Sequence, residues 1–145
     1  MNSAELLGHE LDDIFSGGRA TIASIGSRGE LRRSRIAEAQ RMSRQLAREH
    51  EPWTAALALL LRGMADNAAG DRGAAITALR AGIDRAEATD TLLYAHPARY
   101  RLGELLGGDE GSALIREAVD AMSAEGVRNP QRWVACHMPG DWRSR

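Results

Sequence analysis

The sequence predicts an all-α fold in which antiparallel helical hairpins stack side by side, with about seven helices in one domain. Composition is the first reason: alanine, leucine, arginine and glutamate dominate, and aromatic residues make up only 4% of the chain. Such a mixture favours helix nearly everywhere. The second reason is that apolar residues recur three and four positions apart along most of the chain. The third is a series of Gly-Asp pairs that suit turns between helices.

The first helix is predicted to begin at a cap provided by Asn2 or Ser3 and to end at Gly17-Gly18. A short helical piece over residues 19–27 follows it. The apolar face of the first helix would consist of Leu7, Leu11, Ile14 and Phe15.

Residues 30–48 are predicted to form an amphipathic helix with one apolar side and one basic side. At 100° per residue, the apolar residues that fall together are Leu31, Ala39, Met42 and Leu46. The arginines that gather on the opposite side are Arg33, Arg41, Arg44 and Arg48.

This arginine-rich helix allows three interpretations. Between Arg28 and Arg48 the chain holds seven arginines and two glutamates, a local excess that could bind nucleic acid or an acidic protein. However, no aromatic residue interleaves with the arginines to stack on bases, and the whole chain carries a net charge of −1. We therefore favour a solvated helix face first, an acidic protein partner second and nucleic acid last.

Residues 53–69 and 72–87 are predicted to form a hairpin of two helices. Pro52 suits the first turn of the first helix, and Gly70-Asp71 suits the turn between the two. The small residues spaced so that the two backbones can touch are Gly63, Ala75 and Gly82.

Apolar side chains on the first of these helices would face the concave groove of such a stack. They are Leu57, Leu60 and Met64, and Asn67 adds a polar group of the kind that peptide-binding grooves use. Because the three apolar residues need cover, we expect another part of this chain to fill the groove, with Trp133 supplying part of that cover. The alternative is that the groove captures an apolar segment of a partner.

The segment after Thr89-Asp90 is predicted to be helical, with Pro97 either kinking the helix or delaying its regular part to His96. Gly107-Gly108 would form the next turn.

A further helix is predicted over residues 109–125, ending at Gly126. Asn129-Pro130 would begin a last short helix. The helical-repeat domain would then span residues 1–138, followed by a frayed tail over residues 139–145. The predicted core consists of Leu57, Leu61, Met64, Ile76, Leu79, Ile83, Leu102, Leu105, Ile115, Val119 and Met122.

The spacing around Gly63 is similar to the tetratricopeptide repeat, in which a leucine and a glycine are followed by an alanine twelve residues on. Leu102-Gly103 repeats the opening of this pattern. Arg28-Gly29 precedes Arg62-Gly63 by 34 residues, which is the period of that repeat. The sequence thus indicates a fragment of a tetratricopeptide-like α-solenoid, and an ordinary helical bundle is the alternative.

Residues 99–111, with the run Leu-Gly-Glu-Leu-Leu-Gly-Gly-Asp-Glu-Gly, and residues 126–130 together resemble the C-terminal end of large bacterial serine/threonine protein kinases of the myxobacterial type. Residues 51–62 and Gly70-Asp71 resemble the segment that precedes that end. In that family this helical-repeat region lacks the kinase domain and is taken to sense or scaffold. The resemblance therefore implies a non-catalytic, signalling-associated region.

No sequence pattern points to catalysis, a cofactor or a metal. The chain has no Gly-x-Gly-x-x-Gly-x-Val loop, no His-Arg-Asp segment and no Asp-Phe-Gly segment, which a protein kinase needs to position its nucleotide. Cys136-His137 is an adjacent pair whose side chains would diverge on a helix, which is poor geometry for a metal ion. One cysteine fits a reducing cytoplasm, and no apolar stretch approaches the length of a membrane span.

From the sequence we predict a cytoplasmic, non-enzymatic module that binds a protein or peptide partner. The speculative partner-binding residues are the four basic-side arginines named above together with Leu57, Leu60, Met64 and Asn67. The alternative is a nucleic-acid-binding regulator that uses the arginine-rich helix over residues 30–48. No membrane partner is expected, and the oligomeric state is left open.

Overall fold

The computed structural model describes residues 3–25 and 29–143, with side chains from Glu10 onward. The described residues form seven helices and no strand. They are α1 (Ser3–Ala23), α2 (Gly29–Ala47), α3 (Pro52–Ala68), α4 (Arg72–Ala88), α5 (Leu92–Leu106), α6 (Gly108–Ala124) and α7 (Pro130–His137). The predictions that concern Asn2, Arg28 and the side chain of Leu7 lie outside the part of the chain that the structure describes.

The helices pack in chain order as three hairpins. α1 packs on α2, α3 on α4 and α5 on α6, while α2–α3 and α4–α5 contacts join successive hairpins. α1 also contacts α3, and α7 covers α5 and the edge of α6. The predicted all-α stack of helical hairpins is therefore confirmed.

α1 is one continuous helix, so the predicted end at Gly17-Gly18 is wrong. Gly18 is buried where α1 crosses α3, and a Cβ added there would lie 2.5 Å from Leu61 Cδ2. No real Cβ atom approaches another atom this closely, so the glycine permits a close helix crossing instead of a turn.

The α3–α4 hairpin forms as predicted. Gly70 has a positive φ of 84°, which a glycine adopts readily in a turn. The Asp71 carboxylate then caps α4 by accepting a hydrogen bond from the Ala74 N–H at 3.0 Å. A Cβ added at Gly63 would lie 2.8 Å from Leu79 Cδ2, and one at Gly82 would lie 2.7 Å from Leu60 Cδ2. The two helices are therefore close at both glycines, but the nearest atoms belong to leucine side chains and not to the facing main chain that the sequence predicts.

The α5–α6 hairpin contains a still closer contact. A Cβ added at Gly103 would lie 2.6 Å from the Gly111 carbonyl oxygen, and one at Gly111 would lie 2.3 Å from the Gly103 carbonyl oxygen. Here two main chains touch directly. Pro97 lies inside α5, which begins at Leu92, so the alternative in which the regular helix starts at His96 is wrong.

The apolar side of α2 is rotated from the predicted one. Ile36, Ala39, Ser43 and Leu46 are its buried residues, whereas Leu31 is 69% exposed. Ser43 Oγ donates a hydrogen bond to the Ala58 carbonyl oxygen at 2.8 Å. The side of α2 that carries Ser43 therefore faces α3. Leu31 consequently points away from the core.

Most of the predicted core is buried, with three exceptions. Leu57, Leu61, Met64 and Leu79 are at most 1% exposed, but Ile76, Ile115 and Val119 are only half-buried. Helical periodicity identifies the apolar side of each helix, but it does not show how far the neighbouring helix extends over that side.

The C-terminal segment is not frayed over residues 139–143, so the predicted tail is wrong there. Trp142 is only 2% exposed and belongs to the main core cluster together with Met138. The indole Nε1 of Trp142 donates to the Pro139 carbonyl oxygen at 3.0 Å. Burial of this large side chain offsets the missing helical structure, and the packed unit extends at least to Arg143.

Candidate interaction groove

The predicted apolar groove is filled by the chain itself. Leu57, Leu60 and Met64 are at most 1% exposed, so none of them is available to a partner. Their core cluster also contains Leu11 and Phe15 of α1 and Trp142. The ring of Phe15 meets that of Tyr94 edge-on at 5.0 Å, which brings α1 and α5 together.

Trp133 does not supply the expected cover. It packs at the edge of a separate cluster formed by Ala118, Met122 and Val134, and its ring stacks on that of His137 with 4.4 Å between centroids. The cover that the sequence assigned to Trp133 comes from the first helix and from the segment after α7.

A large open groove lies elsewhere, at the C-terminal ends of α1, α3 and α5. Its volume is about 1340 Å³. The first half of α2 contributes Arg33, Ile36 and Gln40, and the segment over residues 139–143 forms another wall. Ile22 and Leu105 add apolar surface between these walls.

The groove is basic although the chain as a whole is slightly acidic. Among the residues that the structure describes, five arginines line it, and Glu104 and Asp141 are its only carboxylates. The five are Arg32, Arg33, Arg72, Arg101 and Arg143.

Three of these arginines bind main-chain carbonyl groups at the C-terminal ends of helices. Such carbonyls lack partners within their own helix and form the negative end of its dipole, so a guanidinium satisfies both needs. Arg72 Nε donates to the Leu105 oxygen at 2.8 Å, and Arg101 Nε donates to the Met138 oxygen at 2.9 Å. Arg32 donates to the Ala68 oxygen in the same way.

The two remaining groove arginines, Arg33 and Arg143, are exposed. Within the described part of the chain, neither guanidinium forms a hydrogen bond or an ion pair. Arg33 projects from α2 and Arg143 from the C-terminal segment. These two guanidinium groups can therefore bind an anionic ligand without first breaking a hydrogen bond or an ion pair within the chain.

The predicted site residues divide into three groups. Arg33 and Asn67 line the groove, and their role in partner binding stays a prediction. Asn67 also holds the C-terminal segment, because its Nδ2 donates to the Asp141 main-chain oxygen at 2.8 Å. Arg41 and Arg44 on α2 and Arg48 just after it are exposed but do not line the groove, and the three apolar residues are buried.

Sequence reasoning missed Arg72, Arg101, Trp142 and Arg143. Arg72 and Arg101 bind carbonyl groups that are 33 and 37 positions further along the chain, and Trp142 packs among distant core residues. No local sequence pattern marks such contacts. Trp142 was the one available signal, because a tryptophan in an otherwise polar tail gains several kcal/mol when it is buried.

One carboxyl group beside the groove is electrostatically unusual. Burial raises the pKa of Asp66, the nearby positive charge of Arg62 lowers it and the negative charge of Asp71 raises it. Arg62 Nε lies 3.7 Å from Asp66 Oδ2, but that oxygen is buried and accepts no hydrogen bond. The net result is a raised pKa.

Cys136 and His137 do not converge on a common point. Cys136 is exposed, whereas His137 Nδ1 lies 2.8 Å from the Trp133 carbonyl oxygen. In the described ranges no group of three or more His, Cys, Asp and Glu side chains is arranged to hold a metal ion. None of the helices that the structure describes has the length and apolar character required to cross a membrane.

The chain matches no family model, no curated protein and no solved structure. Its resemblance to the repeat tails of bacterial kinases therefore stays a prediction.

Proposed function

We propose that this chain is a non-catalytic protein-interaction module whose basic groove holds an acidic segment of a partner protein. The observation that carries the proposal is the pair of exposed, unpaired guanidinium groups of Arg33 and Arg143 in one groove. An acidic segment is the complementary ligand, because its carboxylates can accept charge-assisted hydrogen bonds from both arginines.

The size of the groove supports a peptide segment over a small molecule. Its volume of about 1340 Å³ exceeds the roughly 300–1,000 Å³ that is typical of small-molecule sites. The apolar side chains of Ile22, Ile36 and Leu105 also line it. A segment that combines carboxylates with a few apolar residues would use both kinds of surface.

A second candidate function is that of a nucleic-acid-binding regulator. It is favoured by the exposure of Arg41, Arg44 and Arg48, which extend the basic side of α2 beyond the groove. A phosphate backbone would use all of these arginines together with Arg33, and its binding would depend steeply on salt.

The proposal is tested by fluorescence anisotropy with a labelled Glu-rich peptide and, separately, a labelled single-stranded oligonucleotide. The two key variants are Arg33→Ala and Arg48→Ala. Each removes one exposed arginine, Arg33 within α2 and Arg48 in the turn directly after it, but only Arg33 lines the groove. We expect Arg33→Ala to raise the peptide Kd about threefold to tenfold, as for a partly exposed ion pair, and Arg48→Ala to leave it unchanged.

Equal losses of peptide affinity in the two variants would contradict a groove site, as would the absence of peptide binding at low salt. Salt-steep oligonucleotide binding that both variants weaken alike would favour the second candidate instead.

The setting of this module is proposed from the resemblance alone. A region similar to the repeat tails of bacterial signalling kinases would act in the cytoplasm, holding or sensing a signalling partner. Affinity capture with the wild-type chain, compared with Arg33→Ala, tests this: a partner with an acidic segment should be retained only by the wild type.

A further inference from the structure

The segment Pro139–Arg143 is a wall of the groove although it has no helical structure. Residues Pro139 to Arg143 all line the groove, and only Pro139 and Trp142 of the five are buried. Trp142 is therefore the residue that fixes the segment to the core, and Arg143 directly follows it.

Side chains from two other helices hold the same segment. Asn67 of α3 donates to the Asp141 main-chain oxygen at 2.8 Å, and Arg101 of α5 donates to the Met138 oxygen at 2.9 Å. The Arg101 guanidinium also lies 5.6 Å from the centre of the Trp142 ring, within the range of a cation–π contact. The segment thus has a defined position from Met138 to Trp142.

We propose that Arg143 and Arg33 form a two-sided clamp for the acidic segment, and that docking of Trp142 in the core holds Arg143 in the clamp. This inference rests on the proposed function and adds to it a positioning residue, Trp142, that holds the Arg143 guanidinium in the groove. Arg143 contacts the ligand, whereas Trp142 acts through Arg143 and contacts only the protein.

Docking of the segment and binding of the ligand are then thermodynamically coupled. If the ligand binds better when the segment is docked, it must in turn stabilise the docked state by the same factor. Bound acidic peptide should therefore slow amide hydrogen exchange in residues 138–143, and loss of docking should weaken peptide binding.

The test combines affinity measurements with hydrogen exchange on the full chain, using the same labelled Glu-rich peptide. We expect Arg143→Ala and Trp142→Ala to raise its Kd by similar factors, about threefold to tenfold each, because both remove the same guanidinium from the clamp. The conservative variant Trp142→Phe should restore most of the affinity. In the wild type, saturating peptide should slow exchange in residues 138–143.

Trp53→Ala is the matched control. Trp53 is half-buried against the same core cluster but does not line the groove, so its removal should lower stability and leave the peptide Kd unchanged. Arg143 is exposed, so its variant remains informative even if Trp142→Ala does not fold.

The inference is overturned, and the proposed function kept, if Arg33→Ala weakens peptide binding while Arg143→Ala and a folded Trp142→Ala bind as the wild type does. It is also overturned if bound peptide leaves exchange in residues 138–143 unchanged or speeds it. Failure of the wild type to bind the peptide would overturn both proposals.

Discussion

Substitution of Gly103 by alanine should destabilise the fold by forcing α5 and α6 apart. A Cβ at this position would lie 2.6 Å from the Gly111 carbonyl oxygen and 2.7 Å from Ile115 Cγ1. Real Cβ atoms essentially never come closer than 3.0 Å to such neighbours. Because the oxygen belongs to the main chain of α6, it cannot rotate away as a side chain could.

The expected magnitude follows from this overlap. α5 and α6 must separate by about 0.4 Å at the contact, the difference between 3.0 and 2.6 Å. Such overpacking typically lowers the free energy of unfolding by about 1–3 kcal/mol. Alanine regains at most about 1 kcal/mol of helix propensity over glycine, so the net loss against the wild type should be up to about 2 kcal/mol. Against a helical Gly→Ala variant that has this gain without the overlap, the loss should be about 1–3 kcal/mol.

Gly73→Ala is the matched control. Gly73 also lies in a helix, but a Cβ there would meet nothing closer than Asp71 Oδ1 at 3.9 Å. Urea and thermal unfolding followed by circular dichroism should show Gly73→Ala as equal to or more stable than the wild type and Gly103→Ala as less stable. Equal stability of Gly103→Ala and Gly73→Ala would refute the direct main-chain contact.

Three further predictions concern single polar groups. Because burial raises the pKa of Asp66, the folded chain binds the proton of this carboxyl group more tightly than the unfolded chain does. The free energy of unfolding should therefore fall as pH rises through the folded pKa. Asp66→Asn should flatten that fall when unfolding is measured from acid to neutral pH. Arg99, whose side chain is 12% exposed, pairs with Glu87 of α4 and lies 4.0 Å from Glu117 of α6, so Arg99→Ala should lower the free energy of unfolding by about 1–3 kcal/mol in urea titrations. Asn129→Ala removes the cap of α7 and should cost about 0.5–2 kcal/mol by the same assay.

Each of these has a clear contrary outcome. A pH profile of Asp66→Asn that parallels the wild type would mean that Asp66 is solvated in the folded chain. Unchanged unfolding of Arg99→Ala would mean that its carboxylate partners are equally well satisfied by water. An Asn129→Ala variant as stable as the wild type would show that α7 is held by its packing on α5 and not by its cap.

Turns and caps were the most predictable part of the fold, because their chemistry is local. Asp71 and Asn129 accept hydrogen bonds from main-chain N–H groups three residues ahead, as their sequence positions predict. Gly126 follows the end of α6 with a positive φ of 91°, which also follows from residue type alone.

Errors arose where a neighbour elsewhere in the chain decides the outcome. Gly17-Gly18 looks like a turn in isolation, but Leu61 of α3 needs the space above Gly18. The apolar side of α2 was misplaced toward Leu31 because the Ser43–Ala58 hydrogen bond was invisible in the sequence. Tertiary contacts thus overrode local patterns.

The candidate site was predictable only in part. The periodic spacing of the arginines identified Arg33 as a candidate, and the repeat pattern identified Asn67, because both residues lie on regular helices. One wall of the groove, in contrast, is built by the segment over residues 139–143, which has no periodic pattern and is positioned by the burial of Trp142. A non-helical wall of this kind cannot be read from helical spacing.

The most direct test of the account is an amide NMR titration of the wild-type chain with the Glu-rich peptide. We predict that the shifted resonances map to the first half of α2, to residues 67–70 and to the C-terminal segment through Arg143, and that the outer side of α6 is unaffected. Shifts spread along the whole basic side of α2 with none in the C-terminal segment would contradict a ligand held in this groove.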